Sequence, residues 1–277
     1  MGAANLSRVS MIVMGHPQFQ TQDDTGVGDG IPLIPEWQSD MTTMDSGPYV
    51  LSILDMLVDV EVRNSLFRLR SAFKTASQVP LSSTRLHDLT CFVIHRLLLH
   101  RADSEPGQPA PSPITECIRY ATILYMLIIH GPTYYSHEVF TNNLISRLMS
   151  NLDILYSLPR CYESIDIWII AIGLVASSDT RQYTWFVDKA MHIASSLQIR
   201  SWFDILTHIK GILWKETAQG ECVFRPHWDA LPLASCQSVV LTDTVLLEDP
   251  VPCSMDIRRA NVLHFAPDSS EALMKYN

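Results

Sequence analysis

Apolar residues recur at helical spacing through most of the chain. In Pro48–Thr75 they fall at positions 50, 51, 54, 57, 58, 62, 66, 69 and 73, and Gln78-Val79-Pro80 closes the run. A second helix is predicted from Ser83 to His100, with Leu86, Leu89, Phe92, Val93, Leu97 and Leu98 on its buried side. The third has punctuation at both ends. Ser112 fits an N-cap, Pro113 the first turn, and Gly131-Pro132 a stop, with Ile114, Cys117, Ile118, Ala121, Leu124, Tyr125 and Ile128 along one face. A fourth runs from about His137 to Tyr156 and is closed by Pro159.

Three further patterns fill Ile165–Trp214, which also holds Trp168, Trp185, Trp202 and Trp214. Asp179 with Gln182, and Ser201 with Asp204, each set a short oxygen acceptor three residues before a second acceptor. That spacing predicts helix starts with reciprocal caps. After Trp214, Thr217–Gln219 and Gly220 read as the end of the last helix, and His227-Trp228-Asp229 as a final local anchor. From Ser238, SVVLTDTVLLEDP reads as one or two short strands in competition with helix and coil. No strand–helix alternation appears, so a parallel sheet is not expected.

The ends differ from the middle. Residues 1–47 are rich in Gly and Pro with few periodic apolar positions, and Arg101–Pro111 is a Pro-rich linker. GVGDG (Gly26–Gly30) has no strand before it, no helix after it and no GK[ST] ending, so it reads as a turn cluster and not a phosphate loop. The expected organisation is all-α: an irregular multi-helix domain over 48–230, a disordered or extended acidic arm over 1–47, and a poorly defined tail over 231–277.

Charge sharpens this division. Six acids and one base lie in residues 1–50, fifteen of each in 51–220, and eight acids and four bases in 221–277. A neutral body between acidic ends carries no basic stripe for phosphate, so direct DNA binding by this chain is not expected. The apolar runs Ala121–Ile129 and Ile165–Ala176 are shorter than the roughly 20 residues a membrane span needs. The start of the chain has one early Arg and a short apolar patch, Met11–Met14, too weak for a signal peptide. Six scattered cysteines with no CxxC pair read as reduced and mostly buried.

Candidate chemistry is sparse. His87, His95 and His100 share one predicted helix, but spacings of eight and five do not form the i, i+4 pair that favours a metal. His137-Glu138 opens no HExxH, and His192 and His208 lie on separate helices. Hydrogen-bonded structural histidines are the expected outcome. No GxSxG elbow exists. Cys91 stands one helical turn from His95 but in an apolar run, which favours a buried structural thiol over an activated one. Asp55 and Asp59 are an i, i+4 acid pair with Arg63 one turn on, the pattern of a solvated face. The tryptophans admit a ligand cage or a packed core, and core is favoured. No catalytic residue, metal ligand or cofactor is assigned, and the chain is not expected to be an enzyme.

The ordered set of motifs resembles the regulatory region of fungal zinc-cluster transcription factors. The residues are Cys117-Ile118-Arg119-Tyr120-Ala121 with Leu124-Tyr125, then Trp168 with Gly173-Leu174-Val175-Ala176. Arg181, Trp185, Phe186 and Val187 follow, then Trp202, Phe203 and Ile205, then Ile212-Leu213-Trp214 and Trp228. Order and spacing agree over about 113–228. The resemblance implies a nuclear transcriptional regulator that contacts the transcription machinery or a partner regulator. A homodimer and an apolar ligand are compatible with it, since some relatives bind a lipid among these helices. Such a pocket would lie between the Ile165–Trp214 helices and the Ser112–Gly131 helix. The family's zinc-cluster DNA-binding motif is absent: no cysteine precedes Cys91. An apolar, acidic arm carrying Met11–Val13, Ile31, Leu33, Ile34 and Trp37 suits coactivator contact or a plain linker. A helical small-molecule enzyme or a scaffold of fungal secondary metabolism is the alternative.

Overall fold

The computed structural model describes residues 20–23, 25–38, 58–78, 80–102, 111–131, 137–157 and 163–232. All lie in the first of two compact units, Met1–Ser238; the second, Val239–Asn277, falls outside the described residues, and the strands expected from Ser238 fall there with it. The described residues form eight α-helices and no strand; the spacing of apolar positions predicts the first seven of them. They are α1 (Val60–Gln78), α2 (Ser83–Ala102), α3 (Pro113–His130), α4 (Glu138–Tyr156), α5 (Ser164–Ala176), α6 (Tyr183–Ser196), α7 (Trp202–Ile212) and α8 (Ala218–Asp229).

Two helices form the centre. Every residue of α3 from Ile114 to Leu127 is buried, and so is every residue of α5 from Ile165 to Val175. A helix that is apolar on all sides has to be covered on all sides. Accordingly α3 packs against α1, α2, α4 and α5, while α5 packs against α3, α4, α6, α7 and α8. At Gly173 the cover is close: a methyl group there would fall 2.0 Å from the Phe186 ring. The glycine therefore sets how near α6 approaches α5.

The punctuation of α3 stands as expected. Ser112 Oγ accepts from the Thr115 N–H at 3.3 Å, Pro113 occupies the first turn, and Gly131 closes the helix. Ser201 and Asp204 form a reciprocal cap on α7: Ser201 Oγ accepts from Asp204 N–H (3.3 Å), and Asp204 Oδ2 accepts from Ser201 N–H (3.0 Å).

Three boundaries differ from expectation. Within the described part of Pro48–Thr75 the chain is non-helical at residues 58–59 and helical from Val60, with Asp59 Oδ1 accepting from Glu61 N–H at 2.9 Å; residues 48–57 lie outside the described set. Asp179 does not cap α6. Residues 177–182 form a turn stitched by Ser177 O, which accepts from Thr180 N–H and Oγ1–H, and the helix begins at Tyr183. Thr217 begins a helix instead of ending one: its Oγ1 accepts from Gly220 N–H at 3.1 Å and starts α8.

Part of the acidic arm is held on the helices. Trp37 and Ile34 are buried, so neither is available for the coactivator contact considered for them. Arg68 of α1 donates to the Trp37 carbonyl at 2.8 Å and stacks over its ring. Glu36 pairs with Arg85 at 2.9 Å. GVGDG is a turn: Asp23 Oδ1 accepts from Thr25 N–H, Thr25 Oγ1–H and Val27 N–H, and Gly26 and Gly28 take φ values of 81° and 117°.

Candidate functional site

The tryptophans of Ile165–Trp214 are framework. Trp168 is buried and its indole N–H donates to the Leu213 carbonyl at 2.9 Å. The Lys215 N–H donates to the Tyr125 hydroxyl at 2.8 Å. These two bonds pin the extended segment between α7 and α8 across α3 and α5. Burial pushes the Tyr125 phenol far above its ordinary range, so it stays a neutral hydroxyl. Around it stand Phe73, Trp168, Trp214 and Phe224, with ring centroids 6.1 to 6.5 Å from its own. Trp214 continues the cluster to Trp202 at 6.3 Å and Phe224 at 5.4 Å. Such tilted and edge-on contacts are those of a packed aromatic core. They pack the junction of α3 with α5 and α8. Trp185 is different: half-buried, it shares the Lys189 ammonium with Tyr156, at 5.2 and 5.5 Å from the two rings.

Polar groups inside the core cluster on α3 and at the start of α5. Arg119 is 1% exposed, its Nε lies 3.4 Å from Glu116 Oε1, and Tyr120 donates to Glu116 Oε2 at 2.6 Å. Nε and Nη1 of Arg119 have no hydrogen-bond partner, which marks a pair kept at an energetic cost. Asp166 is buried and accepts from Glu163 N–H (2.8 Å) and the Tyr156 hydroxyl (3.3 Å), joining the end of α4 to the start of α5.

Five of the described histidines, His87, His95, His130, His208 and His227, are hydrogen-bonded, most with partners that sequence spacing does not reveal. His208 Nδ1 meets Ser164 Oγ at 2.8 Å, tying α7 to α5. Burial lowers the His208 pKa, against the opposing pull of the Asp204 carboxylate. His227 Nδ1 meets the Tyr183 hydroxyl at 3.3 Å, and burial lowers its pKa too, with Asp179 opposing. His87 Nδ1 meets His130 Nε2 at 2.9 Å. The Cys91 thiol does not pair with His95. It meets His87 Nε2 at 3.6 Å, while His95 Nδ1 donates to the Cys91 carbonyl at 2.9 Å. The helix places residue 87 one turn before Cys91 and residue 95 one turn after, and side chains lean toward the helix N-terminus, so the thiol meets the earlier ring.

Asp59 is a helix cap, and its expected partner Asp55 lies outside the described residues. Among the described residues no group of three or more His, Cys, Asp or Glu side chains is placed to hold a metal ion. No described helix is long and apolar enough to cross a membrane. Comparison with known proteins finds no match: no family model, no curated protein and no solved structure.

Proposed function

We propose that this chain is the effector region of a nuclear transcriptional regulator of the fungal zinc-cluster type, acting through protein contacts. One observation supports this reading above others. Several of the residues that carry the resemblance share one buried framework: Tyr125 and Trp168 in contact, Trp214 and Trp202 in contact, Gly173 against Phe186, and Trp228 buried. Residues chosen for unrelated reasons along 113–228 have no need to converge in this way. The neutral helical body with acidic flanks favours protein partners, so DNA contact would come from a partner regulator or from sequence beyond this chain. A small apolar ligand would act as a second input by favouring one helix packing over another.

The test is a reporter assay with the chain joined to an unrelated DNA-binding domain and driven to the nucleus. Output is expected to change at least severalfold relative to the DNA-binding domain alone. The change should disappear when Gly173→Ala disturbs the α5–α6 contact. An unchanged reporter with soluble, nuclear protein would sink the proposal. Turnover of a small molecule by the purified chain, abolished by one polar substitution, would favour the enzyme alternative.

A further inference from the structure

Cys91 and His87 lie one turn apart on α2, and His130 is the last residue of α3. The three side chains form a hydrogen-bonded chain: Cys91 Sγ to His87 Nε2 at 3.6 Å, His87 Nδ1 to His130 Nε2 at 2.9 Å, and His130 Nδ1 to the Gly131 carbonyl at 3.3 Å. With both imidazoles neutral, the direction of each proton in this chain follows from its last member. A carbonyl only accepts, so His130 Nδ1 carries the hydrogen. Its Nε2 is then an acceptor, and His87 Nδ1 donates to it. That leaves the lone pair of His87 Nε2 facing the Cys91 thiol, which donates its S–H. Gly131 is itself held, since its N–H bonds the Ile128 and Leu127 carbonyls, both at 3.2 Å.

A thiol whose base is oriented by a third group is the arrangement that activates a nucleophile. We propose that Cys91 is a reactive thiol, activated by His87 with His130 as a positioning residue, and that it takes up small, uncharged α,β-unsaturated carbonyl compounds by covalent addition. The thiol proton passes to His87 Nε2. The thiolate forms a C–S bond to the β-carbon, the C=C π pair moves to the α-carbon as an enolate, and His87 returns the proton there. Thiol and alkene become a thioether with no oxidant or reductant.

The reagent class follows from the surroundings. Cys91 is 1% exposed and adjoins the buried Leu89, Phe92, Val93 and Ile94, so a charged reagent would have to shed its hydration to reach it. His87 and His130 are half-buried and stand at the edge of the site. Among the described residues the packed elements bring these charged and titratable groups to this end of the helices. Arg85 is engaged with Glu36, Asp88 follows His87, and His95 lies one turn beyond Cys91. On α8, Glu221 lies two residues past Gln219, whose amide is beside Gly131. The inference is independent of the transcriptional reading.

The test is per-cysteine adduct formation by mass spectrometry after brief exposure of the full chain to N-ethylmaleimide, between pH 6 and 8.5. Cys222, which is exposed, serves as the reference thiol. Its rate should rise about tenfold per pH unit below its pKa, as an ordinary thiol's does. The Cys91 rate should vary with pH markedly less than that of Cys222, rise in proportion to reagent, and fall at least tenfold further than that of Cys222 when negatively charged iodoacetate replaces N-ethylmaleimide. His87→Gln and His130→Ala should each restore the steep pH dependence at Cys91. His130→Ala removes only the half-buried orienting ring, so it carries the test where His87→Gln fails to fold. A Cys91 profile parallel to that of Cys222 overturns the proposal. So does a Cys91 rate independent of reagent concentration, which would report opening of the fold instead of thiol chemistry, or the lack of any Cys91 adduct.

Discussion

Single residues do their work here through torsion and hydrogen-bond direction. Gly131 ends α3 at φ 80° and ψ −168°, a region that side-chain-bearing residues essentially do not occupy. An added Cβ would meet Gln219 Nε2 at 3.8 Å, ordinary contact, so the penalty for replacing it is torsional and not steric. Gly131→Ala is expected to cost about 2 kcal/mol in urea denaturation. Gly131→Asn should cost about as much, because asparagine tolerates the left-handed helical region but not this one. Wild-type stability in the Asn variant would show that the glycine has no such role. The Gly131 stop and the Ser112 cap were legible in the sequence, because caps depend on neighbours within four residues. The bond from His87 to His130 was not: it joins positions 43 apart and exists only because α2 and α3 pack together.

At the scale of the helix, periodicity carried the reading wherever the apolar stripe was long, as in α2, α3 and α4. It failed at α8, where Gly220 read as the end of the last helix. The helix accommodates both Gly220 and Pro226. Pro226 forfeits one backbone hydrogen bond inside the helix, but Phe224 and Trp228, four residues apart, bury their rings on the core. Gly220 keeps a small surface beside Trp214, where a Cβ would lie 3.3 Å from the indole. The pair Phe224/Trp228 was the available signal, and tertiary packing decided the outcome. The junction of α5 and α6 gives the sharpest element-level prediction. A methyl group on Gly173 would fall 2.0 Å from Phe186 Cε1, in a ring that is fully buried, so α6 must move or Phe186 must leave its rotamer. Gly173→Ala is expected to destabilise by about 3 kcal/mol. Gly173→Ala combined with Phe186→Leu should recover part of that loss, since the smaller side chain makes room. A double variant no more stable than the sum of its single changes would remove the steric explanation.

The described helical body is built around two helices whose central spans, Ile114–Leu127 and Ile165–Val175, are buried, with titratable groups placed at the seams between the helices and their cover. The Ser164–His208 contact joins α5 to α7, and the Tyr183–His227 contact joins α6 to α8. Burial lowers the pKa of both imidazoles below the ordinary value of 6.5, so the folded state holds them neutral. As pH falls, the unfolded chain takes up these protons first. The stability they contribute is therefore complete above about pH 6.5 and is lost as pH drops from there through their folded values. Asp204 acts in a separate window. Hydrogen bonds from Arg200 N–H and Ser201 hold its carboxyl below the usual 3.8, so its contribution persists until pH falls below that value. Stability by urea denaturation is expected to be flat between pH 7 and 8 and to decline between pH 6.5 and 5. His208→Gln should flatten part of that decline, and adding His227→Gln should flatten it further. The loss of the Asp204 cap below pH 4 should remain in both variants, because the α7 capping box does not involve either ring. Stability that rises between pH 6.5 and 5 in the unaltered chain would mean that the two imidazoles are charged in the folded molecule, and that the seams are held by ion pairs to Asp204 and Asp179 and not by neutral hydrogen bonds.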